Sequence, residues 1–154
     1  MRLQTARDRV LGFVDENIIQ WAEDEILGPT QSIAWGEGLS EHVISTIQIE
    51  RIGFLKINLV WNLFGPNDEP LGVWLEEGTM PHLIEAKGEE NGGANSLMWR
   101  DKGGRPIFRK KVKHPGTTGK HIMKRGWEAG RKAFENRIVR ETTAYLKKDK
   151  IGGF

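Results

Sequence analysis

Apolar residues recur at helical spacing at both ends of this chain and with period two in between. That order of periodicities constrains the fold more than any single residue does. Near the N-terminus Val10, Phe13, Val14, Ile18 and Trp21 fall on one face of a helix, with Asp15, Glu16, Glu23 and Asp24 opposite. The pattern predicts a helix over residues 3–27, ended by Gly28-Pro29. Residues 28–42 hold Gly28, Pro29, Gly36, Gly38 and Ser40 and read as a loop, with Ile33 and Trp35 dropping toward the core.

Alternation then takes over. Residues 45–51 and 54–61 read as two strands joined near Gly53, and the set Leu55, Ile57, Leu59 and Trp61 shares a face. Gly65-Pro66-Asn67-Asp68-Glu69-Pro70 is a turn cluster. Residues 73–79 read as a short helical turn, and 81–84 as extended chain. The polar, Gly-rich stretch 87–96 reads as a mobile loop. Residues 96–100 and 106–112 flank Asp101-Lys102-Gly103-Gly104 and read as a second hairpin.

A long helix is predicted from about Thr118 to Lys148, with Met123, Trp127, Gly130, Phe134, Ile138, Glu141 and Tyr145 as its stripe. Residues 151–154 read as a flexible tail. The expectation is one α+β domain over residues 1–150. It is a mainly antiparallel sheet of two hairpins packed with an N-terminal and a long C-terminal helix. No internal repeat is present.

Charge is distributed unevenly. The net +2 conceals −8 over residues 1–77 and +10 over residues 78–154. Such polarity suits three arrangements: contact with nucleic acid, docking of one copy's acidic half on the basic half of the next, or neutralisation within one fold. Six tryptophans in 154 residues supply large rings for the core and for subunit contacts. The chain has no cysteine, so disulfides and thiolate metal sites are excluded, as suits a reducing cytoplasm. No segment reads as a membrane span or a secretory signal.

Catalytic signatures are missing. His42, His82, His114 and His121 form no metal-ligand pair of the HExxH kind. Glu76 and Glu77 are sequence neighbours, which point apart, and no nucleophile accompanies them. There is no GxSxG, P-loop or dinucleotide-binding glycine pattern. No catalytic residue, cofactor or metal is expected, and the chain reads as a non-enzyme. The basic run Arg105, Arg109, Lys110, Lys111, Lys113, Lys120, Lys124 and Arg125, with Phe108 interleaved, suits a phosphate backbone, an acidic neighbouring subunit, or a solvated face that serves only solubility.

Two short segments carry a resemblance. Val73-Trp74-Leu75-Glu76-Glu77-Gly78-Thr79-Met80-Pro81-His82-Leu83-Ile84 resembles the "vEyGT…H.I" segment of tailed-phage minor tail and neck proteins, with Trp74 where an aromatic Tyr is frequent. Val112-Lys113-His114-Pro115-Gly116-Thr117 resembles their "V.HPGT" turn, reached through a hairpin whose first strand is Ser96-Leu97-Met98-Trp99-Arg100. The resemblance covers roughly residues 73–145.

It implies a structural virion protein of the head–tail joint or tail completion machinery, such as a tail terminator or neck ring subunit. Its implied partners are other copies of itself in a ring, often sixfold, so that a hexamer is expected, together with head–tail connector and tail-tube proteins. Non-specific contact with DNA in the channel is implied as well. Localisation would be the virion, after assembly in the host cytoplasm. Trp74, Glu76, Glu77, Arg109, Lys110, Lys111, Lys113, Lys120, Lys124 and Arg125 are the interface or channel candidates. Gly78, Thr79, His82, His114, Pro115 and Gly116 form the turn motif, in which Gly78 and Gly116 permit sharp turns. The competing expectation is a small nucleic-acid-binding protein that uses residues 105–125.

Overall fold

A computed structural model describes residues 2–89 and 93–148, apart from the side chains of residues 2–4. The expected tail at 151–154 lies outside the described residues, as do residues 90–92 of the predicted loop. The fold is α+β. The chain separates into two compact units: Met1–Glu76 with Lys120–Phe154, and Glu77–Gly119.

Unit 1 begins with helix α1 (Arg2–Ala22), a π-helical turn (Glu23–Leu27) and helix α2 (Gly28–Gly36) in unbroken succession. The expected stop at Gly28-Pro29 does not occur, and the expected loop at 28–42 is mostly helix. The physical reason lies in the π turn. Gly28 is helical (φ −54°, ψ −55°), and its N–H reaches back to the Glu23 carbonyl, one residue further than an α-helix allows. Pro29 sits at the start of α2, where its missing N–H and fixed φ are tolerated. The extra residue in the turn thus lets the helix continue through a proline.

A short helix, α3 (Glu41–Ile44), follows, and then strands β1 (Ile47–Gly53) and β2 (Lys56–Trp61). These pair antiparallel, Ile47 opposite Trp61 and Ile49 opposite Leu59. Their turn places Leu55 at φ 53°, an unfavourable conformation for a non-glycine residue. Asp15 of α1 holds it: its Oδ1 accepts from the Leu55 N–H at 2.7 Å and pairs with Arg51 at 2.6 Å. Helix α4 (Leu71–Glu77) leads out of the unit.

Helix α5 (Ile122–Lys148) begins four residues later than predicted, after His121 at φ 50°. It packs along α1, the π turn and α2. Its buried face is Ile122, Gly126, Gly130 and Phe134, a strict four-residue step. Trp127 of the predicted stripe is instead exposed. A Cβ on Gly126 would run into Thr30, and one on Gly130 into the Glu25 carbonyl oxygen. Glu25 is the i−4 residue to which Pro29 cannot donate. The glycines bring the α5 backbone against this distorted turn.

The core has two joined parts. One gathers Ile18, Trp21, Ala22, Ile26, Ile49 and Phe134; the other gathers Ala34, Ile44, Ile47 and Ile122, and Leu27 and Leu59 pack against both. Phe13 stands edge-on to Trp21 and stacks on Tyr145 at 4.3 Å, which ties α1 to the last turns of α5.

The described residues of unit 2 form six short strands: β3 (Gly78–Thr79), β4 (His82–Glu85), β5 (Leu97–Arg100), β6 (Pro106–Arg109), β7 (Lys111–His114) and β8 (Thr117–Thr118). They pair as nested antiparallel ladders, β3 with β8, β4 with β7 and β5 with β6. The result is one two-stranded ribbon. Its return strand is interrupted at Lys110 and at Pro115-Gly116, where Gly116 is left-handed. None of the described residues 77–119 is buried. The second hairpin is the far end of this ribbon, and among the described residues no third strand joins it.

Candidate functional site

The predicted site residues divide between the units. Trp74, Glu76, Lys120, Lys124 and Arg125 belong to unit 1, while Glu77, Arg109, Lys110, Lys111, Lys113 and the whole turn motif belong to unit 2.

In unit 1, several candidates already have partners in the same chain. Glu76 uses both carboxylate oxygens on the N-terminus of α5, accepting from the Met123 N–H at 2.9 Å and the Lys124 N–H at 3.1 Å. A carboxylate there satisfies backbone donors and complements the helix dipole. Glu37 accepts from Lys120 Nζ at 2.9 Å and Arg125 Nη1 at 2.6 Å. Further along α5, Arg137 bridges Asp24 at 2.6 Å and Glu25 at 3.2 Å. These pairs join the acidic N-terminal part of the chain to the basic α5. Unit 1 as a whole holds 15 Lys+Arg and 16 Asp+Glu. Most of the charge polarity seen along the sequence is therefore balanced inside one unit.

Arg125, and then Lys120, hold the Glu37 carboxyl down at about 2 from an ordinary 4.5. The folded value lies below the unfolded one, so this contact stabilises the fold above pH ~4.5 and is lost as pH falls toward 2. Urea midpoints measured across pH 2–5 are expected to fall over this window. The Glu37→Gln variant should show a shallower fall, and an unchanged slope would contradict the assignment. Asp24 is held below its usual value by the Arg137 guanidinium and by Gln20, and titrates in the same direction.

Unit 2 places the turn motif at the ribbon's base. Gly78 (φ 85°) and Gly116 (φ 84°) are both left-handed, and a Cβ on either would strike the backbone of the opposite strand. Thr79 faces Thr117, Oγ1 to Oγ1 at 3.1 Å, and its Oγ1 also accepts from the Thr117 N–H. His82 and His114 are register partners with rings 5.0 Å apart. His114 Nδ1 accepts from the Gly116 N–H across Pro115, and His82 Nδ1 lies 2.9 Å from the Met80 carbonyl oxygen. Among the described residues no group of three or more His, Asp or Glu could hold a metal ion. No helix among them is long and apolar enough to cross a membrane.

At the far end the turn is built tightly. Asp101 Oδ1 accepts from the N–H groups of Gly103 and Arg105 at 2.8 and 2.9 Å, and Oδ2 meets Arg105 Nε at 3.1 Å. Arg100 Nη1 donates to the Gly104 carbonyl at 2.8 Å. Cross-strand partners share a face. One face carries Met98 with Phe108 and Arg100 with Pro106; the other carries Leu97 with Arg109 and Trp99 with Ile107. Each face thus presents apolar side chains and one arginine. Lys111 pairs with Glu85 at 2.8 Å, an exposed bridge of little weight. For Arg109, Lys110 and Lys113 no carboxylate partner is found among the described residues.

Trp35, expected to drop toward the core, lies at the surface instead. Trp21 is 5% exposed, whereas Trp35, Trp74, Trp99 and Trp127 are 55%, 42%, 39% and 39% exposed. Their indoles are large apolar areas left in water. No family model matches this chain, and no match is found among curated proteins or solved structures.

Proposed function

We propose that this chain is a structural assembly subunit, one that binds further copies of itself and neighbouring proteins and does no catalysis. Four exposed tryptophans in 154 residues carry the reading. Tryptophan is enriched at protein interfaces and depleted from free surfaces, because the ring buries much area at little entropic cost. The resemblance of residues 73–84 and 112–117 to phage minor tail and neck proteins gives the proposal its place. That place is a ring at the head–tail joint or upper tail of a virion, as terminator or neck component.

Apolar contact of this kind tolerates salt. Sedimentation of the purified chain at micromolar concentration is expected to show a closed oligomer at both 50 and 500 mM salt, alone or on added tail tubes. Replacing Trp35, which is 55% exposed, by alanine leaves the thermal midpoint of the monomer nearly unchanged. At a central contact it weakens association roughly thirtyfold, as for interface hot spots. A chain that stays monomeric at high concentration and in the presence of tail tubes refutes the proposal.

A further inference from the structure

We propose that the far part of the ribbon, residues 97–113, binds the phosphate backbone of duplex DNA. The inference places the contact in unit 2 and does not depend on the assembly reading.

Charge is the first ground. Residues 100–113 contain seven Lys and Arg against one carboxylate, Asp101. Asp101 is spent on the turn, where it takes two backbone N–H groups and Arg105. A surplus this concentrated fits a partner with closely spaced negative charge. Unit 1 of a second copy has no such surplus of the opposite sign, with 15 Lys+Arg and 16 Asp+Glu. Duplex DNA carries about one charge per 1.7 Å of axis.

Shape is the second ground. The cations are not confined to one side: Arg100 and Arg109 lie on opposite faces, and Lys102 sits in the turn at the end. A flat acidic surface would meet one face only. A groove walled by phosphates meets both faces and the tip. The major groove, about 12 Å wide, admits a two-stranded ribbon. Among the described residues neither strand has a third partner, so the ribbon can enter as it stands.

The third ground is the apolar content. Met98, Trp99 and Phe108 are exposed among the cations. Side chains of this kind contact thymine methyls or wedge against base steps once the backbone is engaged. Asp101, Gly104 and Arg105 fix the turn before binding, which lowers the ordering cost.

The test uses the full chain and a fluorescent duplex of about 20 base pairs. Binding is expected at 50 mM salt, weakening about a hundredfold by 200 mM if roughly four phosphates are contacted. The variant K102Q/R109Q/K110Q/K113Q removes cations with no carboxylate partner among the described residues, and circular dichroism checks its fold. It should lose at least tenfold in affinity and most of the salt slope. A control in unit 1, K56Q/K132Q/K147Q/K148Q, removes the same charge and should bind as the parent does. The proposal is overturned by no binding at 50 mM salt, or by equal loss in both variants. Equal or tighter binding of single-stranded DNA or of polyglutamate also overturns it.

Discussion

Gly130→Ala is expected to destabilise the full chain by about 2 kcal/mol in chemical denaturation, although alanine is the better helix former by about 1 kcal/mol. The added methyl would meet the Glu25 carbonyl oxygen, with the Ile26 Cα beside it. These are backbone atoms of the π turn and cannot rotate away as a side chain would. Nor can α5 retreat cheaply, because Ile122 and Phe134 are buried on the same face. Gly126→Ala meets a comparable obstacle in Thr30, which is fully buried and fixed by its Oγ1–H donating to the Ile26 carbonyl at 2.7 Å. The double variant should therefore cost more than either alone. A gain of about 1 kcal/mol from Gly130→Ala, the value of propensity alone, would show that α5 does not lie this close.

Ile26→Ala is expected to cost about 3 kcal/mol, within the range for truncating a fully buried branched side chain. Ile26 sits in the π turn with no exposed area, in a cluster with Trp21, Ala22, Ile49 and Phe134. Helical backbone on both sides limits how far the site can collapse, so most of the lost volume remains as cavity. Met80→Ala is the matched comparison. Met80 is 85% exposed, and its removal should leave the denaturation midpoint within experimental error. Similar losses from both variants would place the core elsewhere.

Both effects arise where the sequence was least legible. Helical periodicity located α1 and α5 well, and alternation located β1, β2, β5 and β6, because those signals are local. Gly28-Pro29 misled for a local reason as well: the pair usually ends a helix, and only the tertiary contact with Gly126 and Gly130 reveals a helix that widens by one residue and continues. The ribbon was hidden differently. Its lower ladders join residues 78–85 to residues 111–118, a separation that no short window spans. Yet one signal was present. Met98-Trp99 and Ile107-Phe108 put apolar side chains on both faces, which a hairpin seated on a core does not need.

The candidate residues divide in a similar way. The basic run was visible as composition, but its two parts have different surroundings. Lys120 and Arg125 close on Glu37, more than 80 residues away in sequence, whereas Arg109, Lys110 and Lys113 stay open. Sequence spacing treated them as one stretch. A chain that folds its two ends together turns them into a structural latch and a free surface.

The point where the chain leaves and re-enters unit 1 has a consequence for how such a protein can change over time. The Lys120 N–H donates to the Leu75 carbonyl at 2.8 Å and the His121 N–H to the Glu76 carbonyl at 3.1 Å, so the departing and returning segments are direct neighbours. All the buried hydrophobic residues found among the described ones belong to unit 1. Whatever is inserted between these two anchor points adds only a slowly growing closure cost. The intervening 43 residues are thus a replaceable cassette: they can lengthen, shorten or change their charge under selection while the core that carries them keeps its own sequence rules.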